Sequence, residues 1–409
     1  MKVCFFNRSY WPDMAATGQL LTELAEDLAA RHGCDVTVVA GRPLRGGGAP
    51  RRLAPFTREE RHGVRILRAN GTTLRPGRFV ARVTNYLSYF ASACLAGLCV
   101  PSPDIVVALT DPPIIGLAAL AVARLRGARF VFLCEDVFPE VAVLLEDFHS
   151  ETVDRLLNRL NRSLLKRADA VVALGDRMKR RLVEEKGAAP GRVTVIHNWA
   201  DCAAIVPQPK DAAFVAANGL AGKFVVMHSG NIGLSQSLDA LLDAAALLKD
   251  DPAIAIVIVG DGTKRPALEA RAARDGLTNV HFLPYQPKER LAESFSAADV
   301  FLVSLKPDLE GYIVPSKLYG ILAAGRPFVA AVDPSCEAAV IAVEGDCGVA
   351  VPPENPAALA AAIRALARDP ARVAWLGARA RQVAARFDRP VAVQAYADLF
   401  RETLSRTNG

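Results

Sequence analysis

The segment EGYIVPSKLYGILAAGRPFVA, residues 310–330, sets a lysine where helix chemistry disfavours one. Pro315 and Ser316 open a helix, Lys317 falls in its first turn, and Gly325-Arg326-Pro327 ends it before the next strand. The amino end of a helix repels positive charge and attracts anions, so a lysine there implies that an anion shares the site. A second anion-ready turn lies in VMHSGNIGLSQSLDALL, where Gly230 and Gly233 permit close backbone approach and Ser235 is placed to cap the following helix. Each feature has a plainer explanation: a solvated lysine, and a strand-to-helix turn that needs glycine. Their meeting on one sheet edge favours a shared phosphate.

Other phosphate and catalytic signatures are missing. VIVGDGTKRP has two glycines and no third, so a dinucleotide fingerprint is absent, as are a Walker A loop and any Asp-x-Asp pair for a metal-bridged diphosphate. A diphosphate must then be neutralised by cationic side chains and backbone N–H groups. The six histidines, His32, His62, His149, His197, His228 and His281, form no convincing Ser-His-Asp set and read as structural or solvated.

The elements that must position these residues alternate along the chain. Short β-branched runs (KVCFF, DVTVVAG, VRILRA, DIVVAL, RFVFLCED, ADAVVAL, RVTVIHN) alternate with amphipathic stretches, pause over a linker near residues 199–222, and resume with KFVVMHSG, AIAIVIVGDG, VHFLPY, DVFLVSL and PFVAAVD. Strands apolar on both faces and separated by helices make doubly wound parallel sheets. A length of 409 residues fits two such domains, predicted over 1–205 and 206–387 with a C-terminal helix, 388–409, returning to the first. Ligands of these sheets bind beyond the carboxyl ends of the strands, in a cleft where two domains face one another.

Charge is uneven. The chain carries net +6, yet Arg42 to Arg82 holds eleven arginines against Glu59 and Glu60, leaving net +9 there. The uncharged stretch Val83 to Pro103 follows; its polar residues and Pro101 argue against a span. A basic segment feeding an apolar helix, near Tyr86–Val100, suits docking on an anionic leaflet, and a core helix beside a solvated arginine-rich loop suits it equally. Nothing in the pattern points to nucleic acid. Eight scattered cysteines read as free thiols of a reducing cytosol, and the short apolar run after Met1 reads as a core strand rather than a signal peptide.

Five segments in order carry a family resemblance: YWPDMAATGQLLTELAEDLAARHGCDVTVVAG, VIHNWAD, HSGNIGLSQSLDALLDAAALL, IVIVGDGTKRPALEARA and EGYIVPSKLYGILAAGRP. Together they resemble the retaining GT-B glycosyltransferases of glycosyltransferase family 4, closest to the branch with Pro-Ser-Lys at the donor helix, which builds bacterial surface polysaccharides. The resemblance implies that Thr17 and Gly18 lie near a donor diphosphate held by Gly230, Asn231, Gly233, Lys317 and Leu318, with Ser316 alongside. It implies that Tyr285 and Gln286 contact the nucleotide base. Asp136 and Glu140, in LCEDVFPE, would present polar groups to sugar and acceptor. Asp136 and Glu140 also suit a turn at Pro139, and Tyr285 suits a cover for the sheet end.

Departures bear on donor reading. The family's Glu-x7-Glu pair falls on Tyr312 and Gly320, so both carboxylates are missing, with Glu310 two residues early as a substitute; Ala15 and Ala16 replace the glycine pair of the first loop. The expected chemistry needs no protein nucleophile and no metal, since the leaving phosphate takes the acceptor proton and preorganised cations stabilise its charge. The resemblance implies a UDP-sugar donor, an N-acetylated or deoxy amino hexose, and a polyprenyl-diphosphate-linked acceptor for exopolysaccharide, capsule or O-antigen, with the protein peripheral on the inner face of the cytoplasmic membrane. A soluble transferase, a GT-B epimerase and a catalytically silent scaffold are the alternatives.

Overall fold

The computed structural model describes all residues except 14, 44–53, 73, 75–78, 146–149, 211, 288–289 and 407–409. Five of the eleven arginines between Arg42 and Arg82, namely Arg45, Arg51, Arg52, Arg75 and Arg78, lie outside the described residues. The chain divides into two compact units, Met1–His197 with Ala392–Gly409, and Asn198–Val391. Each is an α/β unit on a parallel sheet, the class expected of a GT-B chain.

The first sheet has eight strands: β1 (Lys2–Phe6), β2 (Asp35–Ala40), β3 (Phe56–Arg61), β4 (Val64–Ala69), β5 (Ile105–Ala108), β6 (Arg129–Cys134), β7 (Ala170–Ala173) and β8 (Val193–Val195), ordered β3-β4-β2-β1-β5-β6-β7-β8. Every pairing is parallel except β3 with β4, a hairpin closed at His62-Gly63. The central strands are buried because helices cover both faces, which is why they read as unbroken apolar runs. On the C-terminal helix Arg389–Ser405, Tyr396 and Phe400 are buried, and Phe400 packs its ring 6.4 Å from that of Phe5 in β1.

The second sheet has six parallel strands: β9 (Phe224–Ser229), β10 (Ile254–Val259), β11 (Val280–Leu283), β12 (Val300–Ser304), β13 (Phe328–Ala331) and β14 (Gly348–Val351), ordered β11-β10-β9-β12-β13-β14. Val226, Ile256, Ile258 and Leu302 meet Leu241, Leu242, Leu359 and Ile363 from the flanking helices in its core. The first division falls at 197 rather than 205, because the segment after β8 is tied to residues of the second unit. Ala200 N–H donates to Phe387 O (3.1 Å), Cys202 N–H to Asp388 Oδ1 (3.0 Å), and Arg381 Nη2 to Cys202 O (2.9 Å).

Candidate functional site

In the second unit, β9 and β12 are neighbours, and the helix Lys317–Ala323 lies between β12 and β13 in the chain. The turn after β9 and the start of that helix therefore share the carboxyl edge of the sheet. Ser316 holds the position before the helix and Lys317 its first residue. The side chain of Lys317 runs back over the turn: a Cβ placed on Gly230 would lie 3.6 Å from its Cε and 3.7 Å from its Nζ. Gly230 itself has φ +134°, a conformation glycine alone adopts without strain. The lysine and the glycine turn thus meet.

The donors of that turn are not what the sequence implied. Gly230 N–H donates to Val259 O (2.9 Å), Ile232 N–H to Asp261 O (2.9 Å) and Gly233 N–H to Gln236 Oε1 (3.0 Å). The first two amides hold the turn against the end of β10 and the loop after it, where a Cβ on Gly260 would sit 1.9 Å from Gly230 O, and the third is taken by the neighbouring Gln236. The glycines supply shape, and the charge must come from Lys317, with Asn231 exposed at the tip. Ser235 caps no helix: a short turn, Leu234–Gln236, intervenes, and its hydroxyl accepts from Gln236 Nε2 (2.7 Å).

Lys317 lies near an unexpected partner. Its Nζ is 3.4 Å from Nδ1 and 3.2 Å from Nε2 of His228, a wholly buried residue near the end of β9. Burial, and then the lysine's charge, push the imidazole well below its ordinary range, so it is neutral at pH 7. Burial also lowers the lysine to about 7. No ion pair joins Lys317 to a carboxylate among the described residues. His228 was passed over with the other histidines, although its place two residues before the Gly230 turn on the ligand edge was a readable signal.

The remaining second-unit residues divide. Tyr285 is exposed after β11, whereas Gln286 turns its amide onto Pro284 O (2.9 Å). Leu318 is fully buried and its N–H donates to Pro315 O (3.2 Å), so it is a core residue rather than a ligand contact. Glu310 is buried in the segment between β12 and the Lys317 helix, where its charge, with that of Glu337, reaches Cys336 before the helix Glu337–Glu344. A Cβ on Gly320 would meet Phe295 at 3.4 Å. A cavity of about 390 Å³ lined by Lys223, Asp299 and Arg326 opens at the opposite, amino-terminal edge of β9, β12 and β13, away from Lys317.

In the first unit a polar cluster gathers at the carboxyl ends of adjacent strands β1, β5 and β6. Arg8 Nε donates to Asp111 Oδ1 (3.1 Å) and Ser9 Oγ to Asp111 Oδ2 (2.8 Å), while Asp136 N–H donates to Thr110 Oγ1 (3.3 Å). Burial, and then Asp111, raise Asp136 to about 6; burial, and then Asp136, raise Glu135 to about 8. Arg8, Asp111 and Glu135 were missed, since no motif spacing links strand ends that only the fold makes adjacent. Glu140 is not with them. It pairs with Lys186, 1% exposed, whose Nζ also donates to Asn158 Oδ1 (2.9 Å), so its charge neutralises a buried cation. Thr17 and Gly18 lie in the first turn of the helix Ala16–His32; a Cβ on Gly18 would stand 3.2 Å from Ser9 C, so Gly18 lets the helix close on that loop.

The uncharged stretch lies largely in the helix Phe79–Leu98, which is buried on one side and exposed on the other. Tyr89, Ala93 and Ala96 are buried, while Val80, Leu87, Leu95 and Leu98 are exposed, beside exposed Leu125 on the packed helix Ile115–Arg126, which ends in exposed Arg124 and Arg126. No helix among the described residues is long and apolar enough to cross a membrane.

Comparison with known proteins follows the same division. Residues 16–199 match a family model described as a glycosyl transferase 4-like domain, and residues 223–369 one described as glycosyl transferases group 1. A probable glycosyltransferase, WbjE, of Pseudomonas aeruginosa is 31% identical over 63% of the chain, which there spans 64% of that relative's length. A putative colanic acid biosynthesis glycosyl transferase, WcaI, of Escherichia coli is 27% identical over 89% of the chain and 91% of its own. Among solved structures, Anabaena HepE in complex with UDP superposes with a TM-score of 0.74 at 19% identity, over 98% of this chain and all of that one, a likeness of fold.

Proposed function

The chain belongs to the group 1 glycosyl transferases with a 4-like first domain, and from that premise we propose that it moves a sugar from a UDP-sugar to a polyprenyl-diphosphate-linked glycan during surface polysaccharide synthesis. The observation that carries the donor half is Lys317. A half-buried amine seated on a glycine turn, without a carboxylate partner among the described residues, is a cation site waiting for an anion. The name of WcaI, with its colanic acid biosynthesis, supports the polysaccharide setting, and the HepE complex supports UDP.

In this reading the diphosphate lies against Lys317 and Asn231, with Ser316 alongside and the exposed ring of Tyr285 under the base. Negative charge grows on the departing phosphate as the glycosidic bond breaks. A lysine already desolvated and fixed stabilises that charge without reorganisation, an effect worth several kcal/mol in comparable sites. The acceptor hydroxyl attacks the face that the leaving phosphate occupies, and its proton passes to that phosphate. No metal or protein nucleophile enters. Asp136, with Glu135 and Asp111, reads hydroxyls of the acceptor or the transferred sugar, an N-acetylated or deoxy amino hexose. The exposed leucines of Phe79–Leu98 and the arginines around them hold the protein on the cytoplasmic face of the membrane, where a polyprenyl acceptor resides.

The test is transfer itself. Purified protein incubated with a panel of UDP-sugars and a short polyprenyl-diphosphate glycan should yield a product one sugar heavier by mass spectrometry, without added metal and with Lys317→Met inactive. Consumption of donor without acceptor would identify an epimerase or hydrolase instead.

A further inference from the structure

His228 has no role in the donor reading above, yet its geometry is specific. The ring is wholly buried, Nε2 lies 3.3 Å from Asn231 O, and both ring nitrogens lie within 3.4 Å of Lys317 Nζ. A neutral imidazole has one donor and one acceptor. With its proton on Nε2 it donates to Asn231 O, and the lysine amine, nearly equidistant from the two ring nitrogens, lies against the ring itself rather than along the Nδ1 lone pair.

The surroundings keep the ring in that state. The turn Gly230–Gly233 contributes no ionisable side chain, and the packed loop after β10 brings Asp261, whose carboxylate accepts from Gly262 N–H (2.8 Å), and Lys264, whose amine is paired with Asp239 (3.0 Å). Lys317, from its own helix, is the charged group acting on His228. A protonated ring would therefore face an ammonium with no anion between them.

We propose that His228 is the positioning residue of the donor site: its neutral ring ties the glycine turn to the lysine amine, and Lys317 takes one proton from solvent when a nucleoside diphosphate docks. The inference deepens the donor reading and rests on it. Burial of the unpaired amine supports the proton uptake, since Lys317 is lowered to about 7 in the free protein and the arriving diphosphate favours its charged form. The bond formed is N–H on Nζ; His228 keeps its own proton throughout.

Titration calorimetry with UDP in buffers of different ionisation heat, near pH 8 where a terminal phosphate is fully ionised, reads the protons exchanged. The wild-type protein should take up close to one proton per UDP, and Lys317→Met none. His228→Ala should bind UDP at least about tenfold more weakly with less uptake, and His228→Gln, which keeps a donor and an acceptor, should restore affinity to within about threefold. Wild-type binding without proton uptake overturns the proposal, as does His228→Ala matching wild type in affinity and uptake. The wild-type and Lys317→Met pair decides the matter even where His228→Ala does not fold. Wild-type protein that binds no UDP in any buffer sinks the donor reading, and this inference with it, a result distinct from binding without uptake.

Discussion

Lys317 Nζ lies 3.2 Å from Nε2 of His228, an amine against a neutral ring rather than a carboxylate. A half-buried, desolvated amine without an anion weakens the ligand-free protein. Burial lowers Lys317 to about 7, against 10.5 for an ordinary lysine. Between those values the unfolded chain holds a proton that the folded chain lacks, so this group's contribution to stability rises with pH. The full cost is present below pH 7 and is gone above about 10.5. Lys317→Met should therefore melt at a higher temperature than wild type at pH 7, with the gap closing toward pH 10. A lower melting temperature at pH 7 would mean that the amine already has a partner.

Glu135 has the opposite sign. Burial, and then Asp136, raise it from 4.5 to about 8, so the folded chain retains a proton that the unfolded chain releases across that range. Its stabilising contribution is lost as pH rises from about 4.5 to 8. Glu135→Gln should match wild type in melting temperature near pH 4 and exceed it at pH 9. A constant offset across pH would show that the carboxyl is solvated in the folded protein.

Glu140 is predicted to be structural. Removing its charge by Glu140→Gln leaves Lys186, 1% exposed, without its carboxylate, at a cost of about 3 kcal/mol in chemical denaturation. The double variant with Lys186→Met should recover most of that loss, and UDP affinity should be unchanged in both. A transfer defect that persists in the stable double variant would restore Glu140 to the catalytic set.

The exposed leucines offer a separate test. Leu87→Asp with Leu95→Asp should abolish co-sedimentation with vesicles containing anionic phospholipid while leaving UDP binding intact. Wild-type protein that ignores such vesicles at low salt would remove the membrane from the account.

The sequence was most legible where one segment carries its own signal. Parallel strands such as IVVA and AVVA are apolar on both faces, and the Lys317 helix begins and ends at the residues that proline and glycine chemistry marks. Strand β3, FTREER, was invisible because it is a polar antiparallel edge, where charge guards against further pairing. β14, GVAV, is short, and its central residues are partly or fully exposed. At the site, the meeting of Lys317 with the Gly230 turn followed from topology. The imidazole beside the lysine, the spent amides of the turn and the Arg8–Asp111 pair depend on side-chain directions that no linear pattern encodes.

The central claim is that Lys317 holds the donor diphosphate, and UDP titrated into wild type and Lys317→Met at pH 7 tests it most directly. Loss of a charged hydrogen-bond donor to phosphate should weaken binding by roughly 10- to 100-fold, with the variant still folded. Equal affinity for the two proteins would contradict it.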